Sequence, residues 1–192
     1  MNHQIVFATN NPNKLKEIRA ILGGEFKVLS LSDIQCEEEL PETTETLEGN
    51  ALQKAQYVFD HYGHECFADD TGLEVNFLSG KPGVRSARYA GDNCTADDNM
   101  DKLLNELGGT DNRSAQFRTV IAWVNKSGFH LFEGQVEGDI SKERKGEGGF
   151  GYDPIFIPKG HQISFAEMSG EEKNAISHRK RATEKFIRAL KA

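Results

Sequence analysis

Ile5-Val6-Phe7-Ala8-Thr9-Asn10-Asn11-Pro12-Asn13-Lys14-Leu15 is the stretch that decides how this chain folds. Four apolar residues in a row read as a short buried strand. The polar run behind them ends it: Asn11 is a favoured helix cap and Pro12 fits a first helical turn. Leu15, Ile18 and Leu22 then recur at helical spacing, and Phe26 to Leu29 reads as a second strand. A strand, loop, helix and strand in that order predict an α/β fold, with ligands gathered where strands end. Thr9-x-Asn11-x-x-Lys14 lies at such an end. A helix N-terminus offers backbone N–H groups and partial positive charge, which suit a phosphate, and Lys14 adds a point charge. Composition leaves a merely capped helix with a solvated lysine equally open. The Walker loop is excluded, because its paired glycines and terminal Gly-Lys-Ser/Thr are missing.

Further along, Thr46 opens a second helix that runs to about His61, with Leu47, Ala51, Ala55, Val58 and Tyr62 on one stripe and Gly63 as its stop. Cys66-Phe67-Ala68 predicts a short strand ending in an Asp69-Asp70-Thr71-Gly72 turn, and Leu73, Val75 and Phe77 predict another strand. Gly80 to Gly91 reads as an exposed loop. Thr95 with Asp98 predicts a capping box for a third helix that Gly108 ends. Ala115–Asn125 and Phe129–Val136 form a hairpin about Lys126-Ser127-Gly128. Gly146 to Gly151 is a glycine-rich loop, and a last helix capped by Ser169 and Glu172 runs to about Leu190. The whole predicts a mixed central sheet flanked by helices, in one domain spanning residues 1–192.

Bulk properties narrow the function. A hydrophobic share of 37% supports a packed interior. No apolar run approaches the ~20 residues of a membrane helix, and no signal peptide is visible. Cys36, Cys66 and Cys94 are scattered, without zinc or redox spacing, and predict reduced thiols in a cytoplasmic protein. A net charge of −7 disfavours a polymeric nucleic-acid partner. A small anionic ligand in one cleft stays compatible with it.

Several further clusters suggest chemistry. Asp69 and Asp70 are adjacent; in extended chain they point to opposite sides, so one can hold Mg²⁺ while the other braces the turn. The acidic run Glu37, Glu38, Glu39, Glu42, Glu45 and Glu48 is mostly solvated surface, and composition singles out none of them. In Gly146-Glu147-Gly148-Gly149-Phe150-Gly151-Tyr152-Asp153-Pro154, an aromatic face can stack on a base; the same residues also suit a flexible loop with two anchoring aromatics. Lys173 with Ser177-His178-Arg179 supplies hydrogen-bond donors or simply a basic patch.

Taken together these segments resemble the inosine/xanthosine triphosphate pyrophosphatase family. The resemblance rests on Thr9-x-Asn11-x-x-Lys14; Glu42 with Glu48-Gly49-Asn50-Ala51 and Lys54; Ala68-Asp69-Asp70-Thr71-Gly72-Leu73; and Pro82-Gly83-Val84-Arg85-Ser86-Ala87-Arg88-Tyr89. Gly148 to Phe156 and Lys173-Asn174-Ala175-Ile176-Ser177-His178-Arg179 complete it. Thr71 replaces the family's frequent Ser and Asn10 its frequent Gly. The resemblance implies two lobes around a nucleotide-binding cleft, a homodimer, and Mg²⁺-dependent cleavage of ITP, dITP and XTP to the monophosphate and pyrophosphate. It implies Asp70 as the catalytic carboxylate and a metal ligand, with Glu42 as a second ligand. Thr9, Asn10, Asn11, Pro12, Asn13 and Lys14, with Lys54 and Lys173, would hold the triphosphate, and Thr71 would touch the substrate. Phe150, Gly151, Tyr152, Asp153, His178 and Arg179 would hold the base, with Arg179 or His178 donating to the 6-keto oxygen that adenine lacks. Two rival readings follow from the same segments: a pyrophosphatase for modified pyrimidine nucleotides, and a non-catalytic nucleotide sensor.

Overall fold

The computed structural model describes residues 4–22, 24 and 26–192. Its strands are β1 Gln4–Phe7, β2 Lys27–Leu29, β3 Cys66–Val75, β4 Pro82–Gly83, β5 Ser114–Asn125, β6 Gly128–Ile140 and β7 Phe156–Pro158. Its α-helices are α1 Pro12–Leu22, α2 Leu47–Tyr62, α3 Ala96–Leu107, α4 Gly170–Ile176 and α5 His178–Leu190. The sheet order is β2-β1-β3-β5-β6-β7, with β4 paired to β3 outside that path. β1 runs parallel to β2, with Ile5 opposite Val28, and to β3, with Val6 opposite Cys66; β4 and β7 run antiparallel to β3 and β6. The mixed sheet with flanking helices is the one the whole sequence predicts. Among the described residues no helix is long and apolar enough to cross a membrane.

The chain divides into two compact units. The first comprises Met1–Asp70, Thr119–Gly134 and Arg179–Ala192, the second Thr71–Arg118 and Gln135–His178.

In the first unit, side-chain alternation along the strands builds two cores. Val6, Ala8, Cys66, Ala68, Ala122 and Val124 pack with Ala51, Ala55 and Val58 of α2. Ile5, Phe7, Phe67 and Ile121 pack instead with Ile18 and Leu22 of α1 and with Ala182 and Phe186 of α5. Phe7 and Phe67 stack at 4.6 Å on that second side. Each ring buried there is worth about 1.5–3 kcal/mol in area removed from water. Thr46 caps α2 through Gly49 N–H, and Gly63 closes it, as the sequence predicts.

The second unit has one core, of Leu73, Val75, Met100, Leu103, Leu107, Phe117, Phe156 and Phe165 among others. The predicted capping boxes are present: Thr95 with Asp98 at α3, and Ser169 with Glu172 at α4. Buried Arg113 donates to the carbonyls of Gly108, Ile140 and Ser141, satisfying acceptors where α3 and β6 end.

Three expectations are corrected. Asp69 to Gly72 is no turn, because β3 runs unbroken from Cys66 to Val75. It pairs with β1 at one end and β4 at the other, and its polar side chains are met by partners that let them stay buried. Gly80 to Gly91 is only partly exposed: it carries β4 and a 3-10 turn at Ser86–Arg88, and buried Ser86 accepts from Leu73 N–H at 2.8 Å while donating to Gly83 O at 2.6 Å. The last helix is two helices, because Ser177 adopts an extended backbone (ψ 154) between α4 and α5. Serine is a better cap than a helix-interior residue, which suits that break.

Candidate active site

Parity along β3 separates the two adjacent carboxylates. Asp69 shares the side of Phe67, toward α1 and α5; Asp70 shares the side of Ala68, toward α2. Asp69 is wholly buried and gathers cations from three helices. Lys14 Nζ of α1 stands 3.0 Å from its Oδ1, Arg179 Nε of α5 donates to its Oδ2 at 3.1 Å, and Lys54 Nζ of α2 donates to its carbonyl at 2.8 Å. Arg179 also pairs with Glu17, and Lys54 with Glu42. Burial by itself raises a carboxyl pKa; here Lys14, Arg179 and Lys54 outweigh burial and hold Asp69 well below the ordinary carboxylate range. Lys14 moves down, chiefly through burial, with Asp69 opposing.

Asp70 is different. Burial pushes its carboxyl up and neighbouring Glu42 adds to the rise, against Lys54, Lys14 and a 3.2 Å hydrogen bond from Asn50 Nδ2. A raised carboxylate is a better proton acceptor. Three cations, Lys14, Lys54 and Arg179, stand among the carboxylates of Glu17, Glu42, Asp69 and Asp70. A divalent cation at Glu42 and Asp70 would offset the repulsion between those two carboxylates. Mg²⁺ is commonly held by one or two carboxylates plus substrate phosphates, so these hard oxygen donors fit it. Among the described residues no group of three or more His, Cys, Asp or Glu is placed to hold a metal ion.

The start of α1 has the predicted cap. Asn11 Oδ1 accepts from Asn13 N–H at 2.9 Å and Lys14 N–H at 3.3 Å, and Thr9 Oγ1 accepts from Asn11 N–H at 3.1 Å. The N–H groups expected to face a phosphate are therefore engaged by Asn11, while exposed Asn10 reaches Glu38 O at 3.4 Å. Pro12 is exposed at the first helical position.

The second unit holds the aromatic set. Asp153 Oδ2 accepts from Phe150 N–H at 2.8 Å and from Lys173 Nζ at 2.7 Å. Lys173 Nζ lies 4.7 Å from the centre of the half-buried Phe150 ring. A side chain at Gly149 would collide with Asp153 Oδ2, so glycine there, at φ 71, is what lets the carboxylate reach the loop. The loop is tied to the segment after β7: Gly148 N–H donates to Ala166 O at 3.0 Å. Tyr152 is buried and its hydroxyl donates to Ser86 O at 2.8 Å, so its ring braces the loop and is not presented for stacking. Gly151 and Thr71 are half-buried. His178 is buried and stacks on Phe117 at 4.7 Å.

The guanidinium of Arg179, expected among the base residues, is engaged by Asp69 and Glu17 in the first unit. Lys173, expected among the triphosphate lysines, has Asp153 and Phe150 as partners in the second.

A family model described as the Ham1 family matches residues 5–189. The chain belongs to the Ham1 family. Its relatives include the dITP/XTP pyrophosphatase of Flavobacterium psychrophilum, 56% identical over 96% of this chain and 97% of that one, and the dITP/XTP pyrophosphatase of Bacillus subtilis, 44% identical over 98% of each. The solved Ham1 protein of Staphylococcus aureus superposes with a TM-score of 0.88 at 39% identity, over 98% of both chains. That of Coxiella burnetii gives 0.89 at 38%, also over 98% of both. The fold expected from the resemblance is thus the family's fold.

Sequence reasoning passed over Glu17 and gave Asn50 no role. The signal for Asn50 was available. Leu47, Asn50, Ala51, Lys54, Ala55 and Val58 share the buried stripe of α2, and two polar residues on such a stripe must be there for partners.

Proposed function

We propose that this protein hydrolyses the non-standard purine nucleoside triphosphates ITP, dITP and XTP to the nucleoside monophosphate and pyrophosphate, with Mg²⁺ as its cofactor and residues 1–192 acting as one catalytic domain. The observation that carries the reading is the buried cation cluster on Asp69 with Asp70 turned to the opposite face of the same strand. The names of the relatives support it.

Bound at Glu42 and Asp70, Mg²⁺ would neutralise charge on the phosphate oxygens. Asp70 takes a proton from the water that attacks the α-phosphorus; the new bond is water oxygen to phosphorus, and the bond to the β-phosphate oxygen breaks. Lys14 and Lys54 hold the phosphate oxygens and steady the leaving pyrophosphate, with Thr9 to Lys14 shaping the turn beside them. Asp69 acts by keeping those lysines and Arg179 in place.

Phe150, Asp153, Lys173 and His178 form the base set, with Gly151 next to Phe150 in the chain and Thr71, next to Asp70, touching the substrate. Phe150 offers a face for a flat purine, and Lys173 brings a donor that a 6-keto oxygen accepts and a 6-amino group does not. Arg179 supports Asp69, and Tyr152 holds the loop through Ser86. The reading includes a homodimer, which sedimentation velocity tests, and a cytoplasmic location, which its free cysteines support.

The reaction is tested by hydrolysing ITP in ¹⁸O-labelled water and weighing the products by mass spectrometry. Label in the monophosphate is expected. Label in pyrophosphate, or release of inorganic phosphate, would place the attack elsewhere and refute the reading.

A further inference from the structure

Asn50 stands at the centre of a three-residue relay that no part of the mechanism above uses. It is 1% exposed, on the buried stripe of α2. Its Oδ1 accepts from Thr44 N–H at 3.0 Å and lies 2.8 Å from the Thr44 hydroxyl. Its Nδ2 donates to Asp70 Oδ2 at 3.2 Å. The direction of the amide follows from chemistry. A backbone N–H can only donate, so the atom facing Thr44 N must be the oxygen, and the atom facing Asp70 must be the NH₂. Asn50 therefore presents a donor to an ionised carboxylate, the stronger kind of hydrogen bond, with its own carbonyl held in place from behind.

The local sequence is built to permit this. Gly49 sits in the first turn of α2, although glycine is a poorer helix former than alanine. A side chain there would collide with Thr44 Oγ1. Glycine at 49 thus admits Thr44 against the helix, and Thr44 in turn fixes Asn50. Thr44 itself is exposed and bonded locally, with its hydroxyl also 3.1 Å from Thr46 O. A residue that served only to cap α2 would not be needed, because Thr46 already does so.

We propose that Asn50 is a positioning residue for the hydrolysis: it orients the Asp70 carboxylate, and Thr44 sets the direction in which its amide points. The inference rests on Asp70 being the catalytic carboxylate. Asn50 touches no reacting atom; it acts by limiting Asp70 to one rotamer and one plane. Fixing a reacting group in geometry lowers the barrier without changing how tightly substrate binds, so the effect falls on kcat.

The test is a double-mutant cycle of Asn50→Ala and Thr44→Val, assayed for pyrophosphate release from ITP, with metal-free crystal structures of wild type and Asn50→Ala. Loss of a hydrogen bond to a charged group predicts that Asn50→Ala lowers kcat about 10- to 100-fold, with KM changed less than about threefold. Thr44→Val keeps the backbone N–H and loses only the hydroxyl, so a drop of about threefold is expected, and none beyond it in the Asn50→Ala background. The Asp70 carboxylate should turn in the Asn50→Ala crystal. An unmoved carboxylate overturns the inference, as does kcat within about twofold of wild type, a change confined to KM, or additive effects of the two substitutions. If Asn50→Ala does not fold, Thr44→Val at its exposed site decides alone, through its kcat against its KM. Wild-type protein that releases no pyrophosphate overturns the functional reading and this inference together; active wild type with indifferent variants overturns the inference only.

Discussion

The two units hold different kinds of polar cluster. In the first, several carboxylates and cations crowd around Asp69 and Asp70. In the second, Lys173 and Asp153 form one buried pair beneath an aromatic ring. A dense charged cluster suits a divalent metal and phosphates. A single ion pair beside a ring suits a flat, uncharged base. Under the proposed function the contrast teaches that one nucleotide presents two different problems, neutralising charge and recognising shape, which the reading gives to two different sets of segments.

Substitutions can break the contrast at either side. The largest effect is expected from Asp70→Asn, which removes the proton acceptor: kcat for ITP should fall about 10²- to 10⁴-fold with folding intact. Near-normal turnover with unchanged Mg²⁺ dependence would remove Asp70 from the chemistry.

Asp69→Asn should act on stability first. It removes the carboxylate that Lys14 and Arg179 share in a buried site, and breaking a buried ion pair costs about 3–5 kcal/mol. For a chain of this length that lowers Tm by about 10 °C. A thermal scan showing no shift would mean the cations are held by something other than Asp69.

In the second unit, Phe150→Ala should raise KM for ITP about 10-fold, the scale of one stacked base, and leave kcat and tripolyphosphate inhibition nearly unchanged. A fall in kcat with KM constant would move Phe150 out of base recognition.

The smallest effect concerns the core. Burial pushes the Cys66 thiol up from 9.0 to about 12. Between those values the unfolded chain loses a proton that the folded chain keeps, so stability falls as pH rises through that window, and Cys66 contributes nothing below it. Urea midpoints measured upward from pH 8.5 on wild type and Cys66→Ala should diverge in slope only above about pH 9. Equal slopes throughout would show that the thiol ionises in place.

Much of this was legible in the sequence. The strand, cap and helix at Ile5 to Leu22 follow from local rules, and so do both capping boxes, because a cap satisfies its own neighbours. Asp69 to Gly72 was misread for the opposite reason: Asp and Gly signal a turn locally, and only partners on α1, α2 and α5 let the strand continue through them. The same holds for the site. The residues themselves singled out the Asp69-Asp70 pair, and family resemblance chose Asp70 from it and Glu42 from the acidic run. Which carboxylate Arg179 serves, and that Lys173 lies over Phe150, depend on contacts between residues far apart in the chain. Polar residues on an otherwise apolar stripe, Asn50 and Lys54, were the one long-range clue that periodicity exposed.

The central claim is tested most directly by measuring pyrophosphate release from ITP, XTP, GTP, ATP and dTTP, each with Mg²⁺ and with chelator. The account predicts rapid, Mg²⁺-dependent release from ITP and XTP and much slower release from GTP, ATP and dTTP. Folded protein that releases pyrophosphate from none of them, or from all of them equally, would contradict it.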